Sequence, residues 1–257
     1  MTKYSLYILT SIVLFTTSCK TDKKKDFEIL RSKEIAAQNK VHNELLDIEK
    51  EQGWSLLFDG ESLKGWHLFN KPDSTQFSAW EVKDGMIFCN ATDESKIFGD
   101  LVTDKSYENY ELQFDWQMAL RGNGGAFINV QETPEYKATY NTGIEYQLLE
   151  PEHMDTATPL KRPGTIWGLA PQLNTVEANP VGQWNTTRII QKDGKIQFYL
   201  NGILTAQEEI NSAAWKNKVA KSKFQDAPGF GKATNGKIAF QNWYFESWFR
   251  NVKIREL

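Results

Sequence analysis

The sequence is poor in the residues that build covalent cross-links and common metal sites. Its 257 residues include only two cysteines, Cys19 and Cys89, and three histidines, His42, His67 and His153. The histidines lack the spacing of a zinc motif, which excludes a classical zinc protein. No cofactor is evident, although carboxylates leave a divalent metal such as calcium open as an alternative. Cys89 follows an apolar run and is predicted to be a small buried core residue.

The chain also lacks a strong charge of one sign and a long apolar run. Its formal net charge is -3 and its folded region has no dense basic patch, which excludes nucleic acid as the expected partner. The apolar run at residues 6–15 is shorter than the roughly 20 residues that a transmembrane helix needs. We therefore expect membrane contact through a lipid anchor only. A content of 40% hydrophobic and 13% aromatic residues suffices for one domain.

The first residues are typical of a secretion signal. Lys3 precedes the apolar run 6–15, and the small polar residues 16–18 lead to Cys19. A lipoprotein signal peptidase would remove residues 1–18 and leave Cys19 as the lipidated first residue, so that Cys89 has no disulfide partner. An ordinary cleaved signal peptide is the alternative, and it also exports the protein. We predict a lipid-anchored protein of the cell envelope, in the periplasm or at the outer membrane.

Residues 19–52 are predicted to connect this anchor to the folded domain. The charged run KTDKKKD after Cys19 has no apolar surface to bury and is expected to remain solvated as a tether. Residues 27–51 then carry apolar positions among Glu, Lys and Gln at a spacing that favours one or two amphipathic helical segments.

From residue 53 the sequence is typical of an all-β domain. Asp-Gly and Asn-Gly pairs, which favour tight turns, recur at residues 59–60, 84–85, 193–194 and 201–202. Between such turns, residues 110–118 alternate strictly between apolar and polar side chains. One face of that strand is therefore predicted to be buried in the core and the other to be exposed to solvent. Residues 53–257 are therefore predicted to form two stacked antiparallel sheets, preceded by the N-terminal helical segment.

Several segments of this region resemble the 3-keto-disaccharide hydrolase domain family. They are GWSLLFDGESLKGW, WEVKDG, GDLVT, GNGGAFINV, GIEYQLLE, GQWNTTRI, YLNG and FRNVKIREL, spread over residues 53–257. The resemblance implies a jelly-roll sandwich of the concanavalin A-like lectin/glucanase kind and a hydrolase acting on 3-keto-disaccharides. This chain departs from the family at one motif, because Gln241, Asn242, Trp243 and Tyr244 stand where the family usually has Gln-Asp-His-Gly.

The strand predicted at residues 143–150 carries the strongest candidate site. An alternation of two residues places Glu145 and Gln147 on one face, where unpaired burial would be expensive and a ligand could satisfy them. A carboxylate beside a carboxamide can bind sugar hydroxyls or move a proton, and Asn123 could join them. We predict catalytic roles for Glu145 and Gln147 and a substrate contact for Asn123; an ordinary solvated face is the alternative.

Further candidates lie on other segments of the sequence. We predict a catalytic role for Arg250, as a cation near the reacting sugar. It is flanked by aromatic residues and is expected to pair with a carboxylate, for which Glu145 is one candidate; a structural ion pair closing the last strand is the alternative. Arg188 is predicted to contact the substrate, and a structural ion pair is again the alternative. Trp243 and Tyr244 belong to an aromatic segment that could stack on sugar rings or simply pack in the core. His153 is expected to line the same cleft.

The 3-keto sugar that the family resemblance implies would determine the mechanism of bond cleavage. The ketone acidifies the hydrogen on carbon 2, so a carboxylate such as Glu145 could remove that proton while the anomeric group leaves, and water would then add to the double bond. Hydrolysis by two paired carboxylates is the competing route. The other functional class is a sugar-binding lipoprotein without catalysis, and a purely structural envelope protein is a third. An oligosaccharide or a keto sugar is the expected partner.

Overall fold

The structure is a computed structural model that describes residues 42–257. The predicted signal peptide, the lipidation site at Cys19, the tether and most of the helical segment lie outside these residues. Within residues 42–257 the chain is mostly β-structure, arranged as two antiparallel sheets with few helices. This confirms the predicted all-β jelly-roll sandwich. None of the helices that the structure describes is long and apolar enough to cross a membrane.

The elements follow one another as short strands with two short α-helices. The strands are β1 (Ser55–Leu56), β2 (Trp66–Leu68), β3 (Trp80–Lys83), β4 (Met86–Cys89), β5 (Leu101–Thr103), β6 (Tyr110–Met118), β7 (Asn123–Val130), β8 (Ile144–Leu149), β9 (Asn185–Lys192), β10 (Lys195–Leu200), β11 (Ile203–Glu209), β12 (Lys237–Phe240) and β13 (Ser247–Glu256). The α-helices are α1 (Asp47–Glu51) and α2 (Ala213–Ala220). Four short 3-10 helices lie at Pro72–Phe77, Thr139–Asn141, Met154–Ala157 and Pro159–Lys161.

The strands form a large sheet and a small sheet. The large sheet has eight strands in the order β11-β10-β9-β6-β13-β4-β3, and β1 pairs with the far end of β13. The small sheet has five strands in the order β2-β5-β12-β7-β8, so β8 is one of its edge strands. Their inner faces enclose the shared hydrophobic core, and each sheet also has an outer face directed away from that core.

Apolar alternation fills the core as the sequence predicts. Alternate residues of β6 are buried in it: Tyr110, Leu112, Phe114, Trp116 and Met118. Cys89 is fully buried in the same core, and burial raises the pKa of its thiol. The prediction that Cys89 is a core residue is therefore confirmed.

The predicted tight turns join neighbouring strands. Residues 84–85, 193–194 and 201–202 connect β3 to β4, β9 to β10 and β10 to β11, and both residues of each pair have positive φ angles. Such left-handed pairs match the right-handed twist of a hairpin, and Asp or Asn followed by Gly adopts them with little strain. The pair at residues 59–60 instead belongs to a loop, where the Asp59 carboxylate accepts two backbone N–H groups.

The described end of the predicted tether and helical segment is tied to the sandwich. The backbone N–H of Asn43 donates to Asn251 Oδ1 (2.9 Å), and the backbone N–H of Asn251 donates to Asn43 Oδ1 (2.8 Å). Helix α1 has no buried residue, and its Glu49 forms an ion pair with Lys253 of β13. These contacts extend the folded unit a few residues before the predicted boundary at residue 53.

Candidate active site

The edge strand β8 carries two predicted site residues on the outer face of the small sheet. Its alternate residues point into the core, namely Ile144, Tyr146 and Leu148. Glu145 and Gln147 therefore lie on the opposite face, as the alternation predicts. In the register of β7 with β8, Phe127 lies opposite Glu145, and Gly125 lies opposite Gln147.

Gly125 provides the space that the Glu145 side chain occupies. A Cβ atom built on Gly125 would lie 2.5 Å from Glu145 Oε1 and 2.9 Å from its Cγ, far inside van der Waals contact. The Glu145 carboxylate therefore leans over the bare backbone of β7, and its residue is only 6% exposed. The side chain of Glu145 is thus fixed in direction by the absence of a side chain on the neighbouring strand.

Burial gives Glu145 an unusual affinity for a proton. Removal from water raises the pKa of the Glu145 carboxyl to about 8, the nearby ammonium of Lys223 opposes this rise, and the negative charge of Asp100 adds to it. A carboxyl with such a pKa changes protonation near neutral pH, where a general base or acid is most effective. Perturbed carboxyls of this kind are concentrated at functional sites.

Trp167 and Lys223 enclose Glu145 on the side away from β7. Residues 164–167 run beside β8, where the backbone N–H of Trp167 donates to the Glu145 carbonyl (3.1 Å). The ammonium of Lys223 lies 3.0 Å from the centre of the Trp167 ring. Desolvation lowers the pKa of Lys223, whereas the charge of Glu145 opposes that change. Lys223 is therefore a cation within electrostatic reach of the Glu145 carboxyl.

Gln147 and Asn123 form an amide pair next to Glu145. Gln147 Nε2 donates to Asn123 Oδ1 (3.0 Å). The other amide atom of Gln147, Oε1, is buried and has no hydrogen-bond partner. A buried acceptor without a partner is destabilising unless a ligand or a water satisfies it. The prediction that these two residues lie together is confirmed, and they offer hydrogen bonds to hydroxyl groups.

The polar surface continues across the small sheet from β8 toward β5. The backbone N–H of Gln241, just after β12, donates to the Gly125 carbonyl (2.9 Å). Asp100, just before β5, accepts hydrogen bonds from the backbone N–H of Asn242 (3.0 Å) and from the Thr139 hydroxyl. Desolvation raises the pKa of Asp100 to about 6, although both hydrogen bonds oppose that rise. Glu145 and Asp100 thus lie at the two ends of one polar strip.

A cleft of about 580 Å³ opens beside Asp100 and is rimmed by aromatic rings. Trp243 and Tyr244 line it and are 45% and 67% exposed, so these two belong to a surface and not to the core. Gln241 and Asn242 also line the cleft and connect it to the polar strip. Within the same aromatic segment, Phe249 is buried in the core. The segment therefore divides between the two roles that its composition left open.

Arg250 and Arg188 lie far from Glu145, on the outer face of the large sheet. Arg250 Nε donates to Asp115 Oδ2 (3.4 Å), and its guanidinium lies 3.9 Å from the centre of the Trp184 ring. Arg250 therefore pairs with a carboxylate, as expected, but the partner is Asp115 and not the candidate Glu145. Its ion pair lies within the large sheet, as the structural alternative predicted, and its predicted catalytic role has no support from this position. The physical reason is strand alternation, because Phe249 points into the core and Arg250 must point away from it.

Arg188 makes a similar structural ion pair. It donates to Glu111 across the register of β6 and β9, and its guanidinium lies 5.0 Å from the centre of the Tyr199 ring. The structure does not bring Arg188 to the polar strip. Its predicted substrate contact therefore has no support from its position.

His153 lies in the loop that follows β8. Its Nδ1 accepts the backbone N–H of Asp155 (3.0 Å), which caps the 3-10 helix Met154–Ala157. Its ring meets the edge of Phe245 with centroids 6.1 Å apart, so His153 connects this loop to the aromatic segment after β12. No contact joins His153 to Glu145 among the described residues.

Sequence reasoning missed Asp100, Gly125 and Lys223. Asp100 stands directly before a short apolar strand, and Gly125 belongs to the segment GNGGAFINV, so both had a local signal. Lys223 follows helix α2 and is distant in sequence from β8, and only the folded chain brings it near Glu145. Among residues 42–257, no three His, Cys, Asp or Glu side chains lie close enough together to hold a metal ion.

Two solved bacterial structures and one curated protein are similar to this chain. A protein of Parabacteroides distasonis described as a candidate glycosyl hydrolase is 32% identical, with a TM-score of 0.75, over 84% of this chain and 100% of that one. A second structure from the same organism is 21% identical, with a TM-score of 0.60, over 79% of this chain and 99% of that one. At this identity the similarity supports the fold alone. The 3-keto-disaccharide hydrolase of Bacteroides thetaiotaomicron is 25% identical over 231 residues, which are 80% of this chain and 79% of that protein.

The family itself is shown by a match over most of the sandwich. The sequence model of a protein family, described as the 3-keto-alpha-glucoside-1,2-lyase-like domain, matches residues 53–255. This range includes β8, the polar strip and the aromatic segment, so the segments that carry the candidate site all lie inside the match. The chain therefore belongs to the family of the 3-keto-alpha-glucoside-1,2-lyase-like domain, which is the 3-keto-disaccharide hydrolase family that its sequence motifs resemble.

Proposed function

We propose that this protein is a glycoside-cleaving enzyme that acts on 3-keto-glycosides or 3-keto-disaccharides, with Glu145 as its proton-transferring group. The observation that carries the proposal is the position of Glu145, which is buried over Gly125 and has a pKa raised to about 8. The name of the Bacteroides relative, a 3-keto-disaccharide hydrolase, supports the substrate class.

The proposed reaction is an elimination followed by a hydration. The ketone at carbon 3 makes the hydrogen on carbon 2 acidic, and ionised Glu145 removes it as a proton. The electron pair passes through the enolate into a double bond between carbons 1 and 2, and the group on carbon 1 leaves with its bonding electrons. Water then adds its hydroxyl to carbon 1, its remaining proton neutralises the oxyanion of the departed group, and protonated Glu145 returns a proton to carbon 2, so the net change is hydrolysis.

Lys223 is the cation that supports the proposed enolate. Negative charge develops on the oxygen at carbon 3 when the proton leaves carbon 2, and a fixed donor or cation near that oxygen lowers the barrier. Lys223 is exposed to solvent on one side and interacts with Glu145 on the other, so a bound substrate can reach both groups. Arg250, the cation expected from the sequence, lies on the other sheet.

Gln147 and Asn123 are proposed to position the sugar. Their amide pair offers a buried acceptor without a partner beside the base. A sugar hydroxyl that donates to Gln147 Oε1 would satisfy this atom and fix the ring relative to Glu145. The proposal thus assigns proton transfer to Glu145, charge stabilisation to Lys223 and orientation to the amide pair.

A sugar-binding protein without catalysis is the second candidate function. The exposed rings of Trp243 and Tyr244 favour it, as does the presence of Asn242 and Trp243 at positions where the family usually has Asp and His. Classical hydrolysis is a competing route, in which Asp100, whose negative charge acts on Glu145, would be the second carboxylate. Both oxygens of Asp100 already accept hydrogen bonds, which disfavours a role as nucleophile.

The test is product formation by the purified protein from 3-keto-disaccharides and from the same disaccharides without the ketone. We expect turnover of the keto form alone, because only the ketone acidifies carbon 2. Glu145→Gln should reduce that turnover at least about 1,000-fold, within the range that a general base contributes. Glu81→Gln, an exposed change on β3, is the matched control and should retain full activity.

The outcomes separate the three candidate functions. Equal cleavage of oxidised and unoxidised disaccharides would refute elimination and support classical hydrolysis. Saturable binding without turnover, unchanged in Glu145→Gln, would select the sugar-binding protein. Export by a signal at residues 1–18 and lipid attachment at Cys19 lie outside the described residues, and we propose them from the sequence alone.

A further inference from the structure

We infer that the aromatic cleft beside Asp100 is a leaving-group subsite that takes a flat, largely apolar aglycone, such as a phenol, on carbon 1 of the sugar. This inference rests on the proposed function, because it uses Glu145 to locate the sugar ring. It adds the chemical class of the group that leaves. We call the cleft rimmed by Phe98, Tyr140, Trp243 and Tyr244 the aromatic subsite.

The wall of this cleft consists of exposed aromatic rings, whose contact with water is unfavourable unless a ligand covers them. All four rim residues are large, and Phe98, Tyr140, Trp243 and Tyr244 are 37%, 49%, 45% and 67% exposed. The ring of Tyr244 lies 5.9 Å from that of Phe98 and 5.6 Å from that of Trp243, measured between centroids, so three rings form one continuous wall. Contiguous apolar patches of this kind mark binding sites, and aromatic walls favour flat ligands.

An unsatisfied buried amide lies in the same cleft. Asn242 is only 9% exposed, and neither its Nδ2 nor its Oδ1 has a hydrogen-bond partner. Desolvating both amide atoms without partners is destabilising for the empty protein. A ligand that offers one donor or acceptor would relieve that penalty. The cleft therefore combines an aromatic wall with the free amide of Asn242, and its remaining sides are lined by Asn70, Lys71, Lys137 and Gln241. The wall suits the flat face of a phenol ring.

The position of the cleft relative to Glu145 identifies which part of the substrate it holds. Gln241 of the cleft is hydrogen-bonded to Gly125, over which the Glu145 carboxylate leans. From Gly125 to Asp100 the surface crosses two strand spacings, about 10 Å in total. Trp167 and Lys223 enclose the opposite side of Glu145. A sugar with carbon 2 at Glu145 therefore extends its substituent on carbon 1 toward the aromatic subsite.

The experiment measures affinity without turnover, so that its result does not depend on the proposed reaction. Unoxidised phenyl, methyl and glucosyl glucosides, each in both anomeric forms, are titrated into the full protein by calorimetry. We expect the phenyl glucoside to bind at least about tenfold more tightly than the methyl glucoside, and more tightly than the glucosyl one. Trp243→Ala should abolish the preference, whereas Trp248→Ala, a partly exposed Trp on the large sheet, should retain it.

Asn242→Ala separates a binding role from a structural one. Because the amide has no partner in the free protein, its removal should leave Tm unchanged or raise it while weakening phenyl glucoside binding about threefold or more. A lower Tm with unchanged affinity would overturn the assignment of Asn242. Equal affinity for methyl and phenyl glucosides, or tighter binding of the glucosyl one, would overturn the aglycone class.

Turnover of the 3-keto phenyl and methyl glucosides distinguishes the two proposals. If phenyl glucoside binds more tightly than methyl glucoside, this preference depends on Trp243, and neither keto glucoside is turned over, the subsite is supported and the proposed enzyme is refuted. Turnover with no leaving-group preference and no effect of Trp243→Ala would support the enzyme and refute the subsite.

Discussion

Two glutamates, one on the outer face of each sheet, are held in opposite ways. On the large sheet Glu111 is paired with Arg188 and Arg255, and the same sheet has the ion pairs Arg250 with Asp115 and Lys253 with Glu49. On the small sheet, Glu145 is buried over Gly125 and forms no salt bridge within 4.0 Å with any other of residues 42–257. The same residue type, glutamate on a β-strand, thus occupies a satisfied environment on one sheet and an unsatisfied one on the other.

The pKa values of two glutamates express this difference. Burial alone would raise the pKa of Glu111, but hydrogen bonds from Arg188 and Arg255 outweigh it and hold that pKa below its usual value. Burial raises the pKa of Glu145 to about 8 because Lys223 compensates only in part. The two carboxylates have similar exposure as residues, 4% and 6%. The difference therefore has two causes: desolvation dominates at Glu145, whereas two guanidinium groups outweigh it at Glu111.

This contrast separates structural charge from functional charge. Paired groups on the large sheet lower the free energy of the folded state, whereas the unpaired carboxyl and amides of the small sheet raise it. Proteins retain such unfavourable groups mainly where a ligand or a reaction uses them. The arrangement supports the polar strip as the working surface and the outer face of the large sheet as a stabilising one.

Replacing Lys223, the cation that acts on Glu145 among residues 42–257, should have the largest effect on this contrast. In Lys223→Met the enolate loses its positive partner, so we expect kcat/KM for a 3-keto substrate to fall about 100-fold. The pKa of Glu145 should also rise further, so the acid limb of the pH profile, expected near pH 8 in the native protein, should move to higher pH. A fall in kcat/KM with no shift of this limb would contradict an interaction between the two groups.

The control for this change is Lys221→Met, which removes an exposed ammonium two residues earlier. It should leave both kcat/KM and the position of the acid limb unchanged. Similar losses in the two variants would mean that net charge, and not the location of Lys223, determines the rate.

Filling the space over Gly125 should have the next largest effect. A methyl group there would collide with Glu145 Oε1 at 2.5 Å, so Gly125→Ala should displace the carboxylate and reduce kcat/KM at least about tenfold. Gly124→Ala is the matched control on the same strand, because its methyl group would meet the flexible terminal methyl of Met118 at 2.8 Å. Equal activity of the two folded variants would show that Glu145 does not need this opening.

The smallest expected effect concerns stability and has opposite sign on the two sheets. Glu145 binds more protons when folded, so its contribution falls as pH rises from its usual pKa of 4.5 to about 8. Glu111 binds fewer protons when folded, so its contribution is complete above pH 4.5 and is lost as pH falls below it.

Urea unfolding between pH 4 and pH 9 measures both contributions. Glu145→Gln should raise the free energy of unfolding at pH 9 by about 1–3 kcal/mol and change it little at pH 4. Glu111→Gln should lower that free energy by about 1–3 kcal/mol at pH 7 and by less at pH 4. If both variants were destabilised at pH 9, the proposed difference between the two faces would fail.

Most of the fold could be predicted from the sequence because its signals are local. Alternation along β6 and β8 indicated which side chains face the core, and the paired left-handed residues at 84–85, 193–194 and 201–202 indicated three hairpins. These features depend on neighbouring residues alone. The sandwich class, the burial of Cys89 and the shared face of Glu145 and Gln147 follow from them.

The surroundings of Glu145 could be predicted only in part because they depend on contacts between distant residues. The sequence left Glu145 open as a partner of Arg250 because it could not reveal that the strand of Arg250 belongs to the other sheet. Lys223 comes from a loop far along the chain, and Asp100 reaches the polar strip through the pairing of β5 with β12. Sheet order, which sets these neighbours, is a property of the folded chain.

The short segment at residues 164–167 has a consequence for solubility. Strand β8 ends the small sheet, and an uncovered edge strand can pair with the edge of another molecule and start aggregation. Here the backbone of Glu145 and Gln147 is already bonded to residues 164, 165 and 167. The edge of the strand that carries Glu145 is therefore not free to pair with another molecule. The same loop thus supports the geometry of the site and lowers the tendency to aggregate.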